Sequence, residues 1–274
     1  MVHGMKKYIF NISVFLLILL TNLFAQNKSD IGNYIFEPIE GKIIGIWPHE
    51  NKNNSVEKLK QLREQWGFNY ILIAAPYGEP FYSNVRNAGF DSLHIMKQIY
   101  LPDLINRKDW FWNNIETLGK IWAYYFDEPI SREFSFSVMM GLLSNLSSKG
   151  FYPNAKFVVG EIDERKAERF LKTTDAIMYS GYGSREKQGL DQIQSWQEWK
   201  QYLGEKFSML WISTNEDSLE YRTLFKAAKD QGLDAIWLYQ YEPMDPDKET
   251  SFINLEKFCD AAVEFGFMRV KEKK

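Results

Sequence analysis

The chain of 274 residues is poor in the side chains that make disulfides and metal sites. Its one cysteine, Cys259, has no partner for an internal disulfide, so stability must come from a buried core, which this length can supply. The three histidines, His3, His49 and His94, form neither H-x-H nor H-E-x-x-H, which argues against a histidine-rich metal site. A carboxylate-bound ion stays open on these grounds, but no metal or other cofactor is expected. No G-x-G-x-x-G turn follows an early strand, so a dinucleotide lacks its phosphate cradle, and no G-x-S-x-G elbow supports serine hydrolase chemistry. The formal charge of −3 includes no basic block. Nucleic acid and anionic membrane surfaces are therefore not expected partners.

Apolar length is scarce as well, with one exception at the start. Lys6 and Lys7 precede the run from Ile9 to Leu20, and Ala25 follows as a small residue at a plausible cut. That is the three-part layout of a secretory signal, and the run is too short for a comfortable membrane span; an uncleaved anchor is the alternative. The expected organisation is a signal peptide over residues 1–25, a polar leader over 26–40 and one domain over 41–270. The mature protein is expected to be exported, periplasmic or extracellular, with no membrane association after cleavage. Losing Lys6 and Lys7 with the signal takes the formal charge from −3 to −5.

What is abundant is aromatic. Aromatic residues make up 16% of the chain, with nine tryptophans. Much of this suits an ordinary core, but aromatic faces also stack on sugar rings, so the composition leans toward a carbohydrate ligand.

The patterning alternates strands and helices. Apolar runs predict strands at Gly41–Pro48, Asn69–Pro76, Ser92–Tyr100, Ile121–Pro129, Lys156–Gly160, Asp175–Ser180, Lys206–Ser213 and Asp234–Tyr241. Ser92–Tyr100 has the most mixed pattern. Helices are predicted from Val56 to Gly67 behind a Ser55 cap, around Tyr82–Asn87, from an Asp109 cap to Gly119, and over Ser131–Ser148. Further helices are expected at Glu164–Thr173, Ser195–Leu203, Ser218–Gln231 and Phe252–Phe265. Eight such units without a low-complexity linker point to an α/β single-domain (β/α)8 TIM barrel rather than a doubly wound sheet.

In such barrels the active site lies at the C-terminal ends of the strands. Those ends carry Trp47 and His49, Tyr77 and Glu79, Asp127 and Glu128, and Glu161 and Asp163. Tyr179 and Tyr182 follow the sixth strand, Ser213, Asn215 and Glu216 the seventh, and Gln240 and Glu242 the eighth. One rim thus combines carboxylates, amides and aromatics. Glycosidic cleavage needs this inventory: one protonated carboxyl to aid the leaving oxygen and one carboxylate to attack or to activate water. The fourth strand, Ile-Trp-Ala-Tyr-Tyr-Phe-Asp-Glu-Pro, ends in two adjacent acids stopped by Pro129. Carboxylates at the mouth of a buried strand are costly unless solvated, paired or used.

Asp127-Glu128-Pro129 at that strand end resembles the Asn-Glu-Pro motif of the (β/α)8-barrel glycoside hydrolase superfamily. The resemblance covers the barrel layout and this short motif, and it implies Glu128 as the general acid/base. Asp127 stands where the family has asparagine, whose amide contacts the sugar hydroxyl beside the reacting carbon. The seventh strand ends in Ser213 and Thr214, with Glu216 slightly beyond, where the family places its glutamate nucleophile. Glu161 is favoured as the partner carboxylate, with Glu216 and Glu242 behind it. Trp47, His49, Tyr77, Tyr179, Tyr182, Gln240 and Glu242 are the candidate substrate-binding residues.

Structural roles compete with each of these. In these readings Asp127 or Glu128 only caps the helix region near Ser131 or pairs with Arg132, Glu161 pairs with Arg165, and Glu216 caps the helix at Ser218. The expected function is hydrolysis of an oligo- or polysaccharide; the alternative is a barrel that binds glycans without cleaving them.

Overall fold

The computed structural model describes residues 34–48, 55–75, 77–127, 135–151, 155–160, 173–181, 207–213, 218–241 and 250–273. The chain divides into two compact units. One comprises Met1–Ile35 and Lys271–Lys274, of which 34–35 and 271–273 are described; the other is Phe36–Val270.

Eight strands form a closed, all-parallel barrel. They are β2 (Ile43–Pro48), β3 (Tyr70–Ile73), β4 (Ile95–Ile99), β5 (Ala123–Asp127), β6 (Lys156–Gly160), β7 (Ala176–Gly181), β8 (Phe207–Ser213) and β9 (Ala235–Tyr241). Each pairs with the next, and β9 returns to β2 to close the ring. All eight strands predicted from hydrophobic runs are present, and the (β/α)8 architecture is that of a TIM barrel. Two further strands, β1 (Tyr34–Pro38) and β10 (Met268–Glu272), pair in a separate two-stranded sheet. β1 falls within the stretch read as a leader. Its five residues carry no long apolar run, and its partner lies at the far end of the chain.

The helices follow their apolar spacing. α1 (Val56–Glu64) starts where the Ser55 hydroxyl accepts the Lys58 N–H at 3.2 Å, and it buries Leu59 and Leu62. α2 spans Phe81–Asn87. A helix that the sequence did not announce, α3 (Leu101–Asn106), precedes α4 (Lys108–Leu118). Asp109 was expected to cap α4 but sits inside its first turn, because the helix already begins at Lys108. There the carboxylate faces the helix dipole favourably without capping it. α5 runs Phe136–Ser148 from a Ser135 cap, which accepts the Val138 N–H at 3.3 Å, a later start than the expected Ser131. α6 (Ser218–Asp230) and α7 (Thr250–Glu264) complete the described helices. The helices expected at Glu164–Thr173 and Ser195–Leu203 lie outside the described residues, apart from Thr173.

Strand alternation separates two cores. Leu72, Met96, Ala123, Tyr125, Val158, Ala176, Met178, Met209, Trp211, Ala235 and Trp237 form one buried cluster drawn from seven strands, with Ile43 and Trp47 of β2 packed against it. Residues that converge from every strand of a closed barrel can only be its interior. Tyr125, Trp211, Trp237 and Trp122 stack in succession there, with centroid spacings of 5.5, 6.5 and 6.2 Å and planes within 23° of parallel. Gly45 makes room for this stack, since a Cβ at that position would run into the Trp237 ring. The outer core lies between strands and helices and includes Phe126 against Phe157, and Phe258 against Phe68 and Phe225.

Candidate active site

The C-terminal rim is built from residues that follow the interior alternation. On β5, Ala123 and Tyr125 belong to the interior cluster, so Asp127 holds the next interior register position at the strand's last residue. Asp127 pairs in register with Gly160, the last residue of β6. The chain therefore leaves two neighbouring strands at one level, β5 into Glu128 and β6 into Glu161. Glu128 and Glu161 themselves lie outside the described residues, as do His49, Tyr182 and Glu242.

Gly160 is where something approaches the backbone closely, and that group is Tyr125. A Cβ on Gly160 would meet the Tyr125 hydroxyl and ring edge. On β6 the residue that joins the interior cluster is Val158, so Phe157 and Val159 share the outward face.

Trp47 is half-buried near the end of β2 and stands edge-on to Trp211, 5.4 Å between centroids and 82° between planes. It is the rim-side end of the aromatic stack. Trp211 and Trp237 are wholly interior and belong to the core. Tyr77 is half-buried with its ring 6.3 Å from Phe81, and its carbonyl accepts from Lys97 Nζ at 3.0 Å. Tyr179 takes the outward register on β7, opposite in alternation to interior Met178. Near Gln240 the pairing slips: Ile46 faces Leu238, while two residues on Pro48 faces Tyr241, three residues on. The extra residue in β9 is the signature of a bulge, a device that re-aims side chains next to binding sites. Glu79 has a structural task, its carboxylate accepting the Ser83 N–H at 3.1 Å and the Ser83 hydroxyl at 2.7 Å.

Polar residues missed at the sequence level lie at the ends of β3 and β4. Lys97, only 3% exposed, donates to the carbonyls of Ala74 at 2.6 Å, Ala75 at 3.1 Å and Tyr77 at 3.0 Å, and its ammonium lies over the Tyr82 ring. It thereby ties down the chain that leaves β3. Gln98 accepts the Ala75 N–H at 3.0 Å from the interior side. The signal was present: a Lys-Gln pair inside an apolar strand is the mixed pattern that set Ser92–Tyr100 apart. Nearby, Asp103 receives both Nε (3.1 Å) and Nη2 (2.6 Å) of Arg107, whose guanidinium lies 4.0 Å from the Trp110 ring centre.

Among the described residues, no three of His, Cys, Asp and Glu come together as a metal cage, and no helix is long and apolar enough to cross a membrane. Burial raises the proton affinity of Tyr124, of Tyr70 (assisted by Asp91) and of the Cys259 thiol, all outside the rim.

No known family profile matches the chain, and no curated protein matches its sequence. Solved structures do match its fold. The active domain 2 of a thermostable chitinase from Pyrococcus furiosus, solved with chito-oligosaccharides, aligns at a TM-score of 0.59 and 13% identity, covering 84% of this chain and 98% of that one. A glycoside hydrolase family 17 β-1,3-glucanosyltransferase from Rhizomucor miehei aligns at 0.52 and 14%, covering 73% and 88%. An active-site mutant of a β-1,3-glucanosyltransferase from that fungus has been solved with laminaritriose. A pyruvate kinase from Cryptosporidium parvum aligns at 0.52 and 11%, covering 81% and 69%. Likeness to enzymes of such different chemistry establishes the fold these proteins share: this chain is a TIM barrel.

Proposed function

We propose that this chain is an exported glycoside hydrolase in which Glu128 protonates the leaving glycosidic oxygen. Glu161 is the first candidate for the second carboxylate, attacking the anomeric carbon or activating the water that does. The register of Asp127 with Gly160 carries the reading, because it brings the strand exits to both glutamates side by side at the catalytic rim. Half-buried Trp47 supports it as a platform for a sugar face, held edge-on by Trp211. Chitinase and β-1,3-glucanosyltransferase barrels among the structural neighbours agree with a carbohydrate substrate. Two like-charged carboxyls side by side raise each other's proton affinity, which is how one stays an acid near neutrality.

The test is a turnover screen of the protein lacking residues 1–25 on chito-oligosaccharides and β-1,3-glucans, read as new reducing ends. Glu128→Gln should lower kcat by about 10²–10⁴-fold, the usual share of general acid catalysis, while leaving binding in place. An unchanged kcat in that variant removes Glu128 from the acid role. Wild-type binding without turnover would instead identify a glycan-binding barrel.

A further inference from the structure

The rings inside the barrel meet in an unbroken file from one mouth to the other. Trp47, next to last in β2, is half-buried at the C-terminal rim and stands edge-on to Trp211, 5.4 Å between centroids. Trp211 stacks on Trp237 at 6.5 Å, and Trp237 on Trp122 at 6.2 Å. Trp122, the residue before β5, and Tyr70, the first of β3, are half-buried at the N-terminal mouth. Tyr70 meets Trp122 at 4.9 Å and Trp237 at 6.3 Å. Every step lies within the range of rings in direct contact.

Rings this close exchange electrons readily, because electronic overlap falls off steeply with the gap between ring edges. Indole and phenol also give up one electron more easily than the aliphatic side chains around them. The surroundings decide where such an oxidation comes to rest. An oxidised indole is trapped when it loses its N–H proton, and Trp237 Nε1 is buried with no hydrogen-bond acceptor to take it. A vacancy at Trp237 therefore moves on. At Tyr70 the conditions reverse, since this residue reaches the surface, where water can take the phenolic proton. The Asp91 carboxylate, 3.1 Å from the His94 ring that stands edge-on to Tyr70, favours positive charge at this end.

We propose that this file passes a one-electron oxidation from Trp47 at the rim to Tyr70 at the opposite mouth, sparing the rim from oxidative damage. An oxidant of the carbonate- or azidyl-radical class takes one electron from Trp47 and leaves as its anion. One electron then moves rimward from Trp211 to Trp47, from Trp237 to Trp211, and from Tyr70 to Trp237, directly or through Trp122. Tyr70 releases its phenolic proton to water, and a neutral tyrosyl radical remains. A thiol or ascorbate returns one hydrogen atom there and restores the protein. None of this rests on the glycan function proposed above.

Pulse radiolysis of the full chain with azidyl radical, which oxidises tryptophan ahead of tyrosine, tests the route. Tryptophyl absorption should decay as tyrosyl absorption rises, at a rate independent of protein concentration. Tyr70→Phe should lose most of that rise. Trp237→Phe should lower its yield, because Trp47 and Trp211 are then cut off from Tyr70. Melting temperatures show whether each variant is folded, and Trp211→Phe makes the same cut should Trp237→Phe not fold. A rise whose rate grows with protein concentration, or one that survives Tyr70→Phe, overturns the passage; so does an unmoved yield in the folded tryptophan variant. A rise lost in Tyr125→Phe instead ends the route inside the barrel and overturns it as well. Under a steady radical flux with ascorbate present, oxidised Trp47, read by mass spectrometry, should accumulate faster in Tyr70→Phe than in wild type. Equal accumulation overturns the protective role.

Discussion

The interior of the barrel and its rim beside β3 and β4 use neighbouring stretches of the same strands for opposite ends. Inside, Tyr125, Trp211, Trp237 and Trp122 stack with little but apolar neighbours, and Gly45 is bare so that Trp237 fits. At the rim, Lys97, Gln98 and Asp103 are almost as deeply buried, but each is there to hold a backbone or side-chain partner. Aromatic content alone therefore does not say which rings are open to a ligand. Burial does: Trp211 and Trp237 are wholly enclosed, whereas Trp47 and Tyr100 reach the surface. The contrast also divides the two regions by what a substitution should do.

The sharpest break comes from the interior. Trp237→Ala removes a ring packed against Gly45, Trp211 and Trp122, and should cost about 3–5 kcal/mol in chemical denaturation. A loss under about 1 kcal/mol would mean the stack is loose and the division wrong. Lys97→Met comes next. It leaves the carbonyls of Ala74, Ala75 and Tyr77 short of a donor and should cost about 3 kcal/mol, with easier proteolysis of the chain after β3. Were that variant as stable as wild type, the ammonium would not be what holds the rim.

Gly160→Ala probes the join between the regions. Its Cβ must displace the Tyr125 ring, so stability should fall by about 1–3 kcal/mol and tryptophan fluorescence should shift with Trp211, the stacking partner of Tyr125. Native-like fluorescence and stability would place Tyr125 away from β6.

The smallest effect is expected outside both regions. Tyr124 faces the outer core with a buried hydroxyl that meets no hydrogen-bond partner, so Tyr124→Phe should be neutral or stabilising by about 1 kcal/mol at pH 7. Burial raises its proton affinity above the ordinary tyrosine value of 10.0. The folded state then holds its proton where the unfolded chain releases it, so ionisation of the unfolded chain lowers stability as pH rises above 10 and has no effect below it. Denaturation of the Phe variant between pH 9 and 11 should show a shallower alkaline decline. Parallel curves would sink the assignment.

Most of the barrel was legible because parallel strands buried on both faces read as apolar runs. β4 read least clearly for a reason the fold supplies: Lys97 and Gln98 interrupt its run to serve the end of β3. α3 escaped notice because its six residues carry no repeating apolar face, and β1 and β10 because their pairing joins the two ends of the sequence. Of the candidate site, the strand-end location of Asp127 was readable from Pro129 and the run before it. The bulge near Gln240 was not, since it depends on residues far apart in the chain.

By itself the sequence determined the alternation of strands and helices, hence the barrel, because hydrophobic period and strand length are local properties of the chain. It also determined that the strand Ala123–Asp127 ends on an acid, since Pro129 follows closely and a proline halts a strand. Tertiary structure alone decided which tryptophans are core and which reach the rim, and that Asp127 lies level with Gly160 at the exit toward Glu161. Register and burial belong to pairs of strands and to closed packing, and neither exists until distant segments meet.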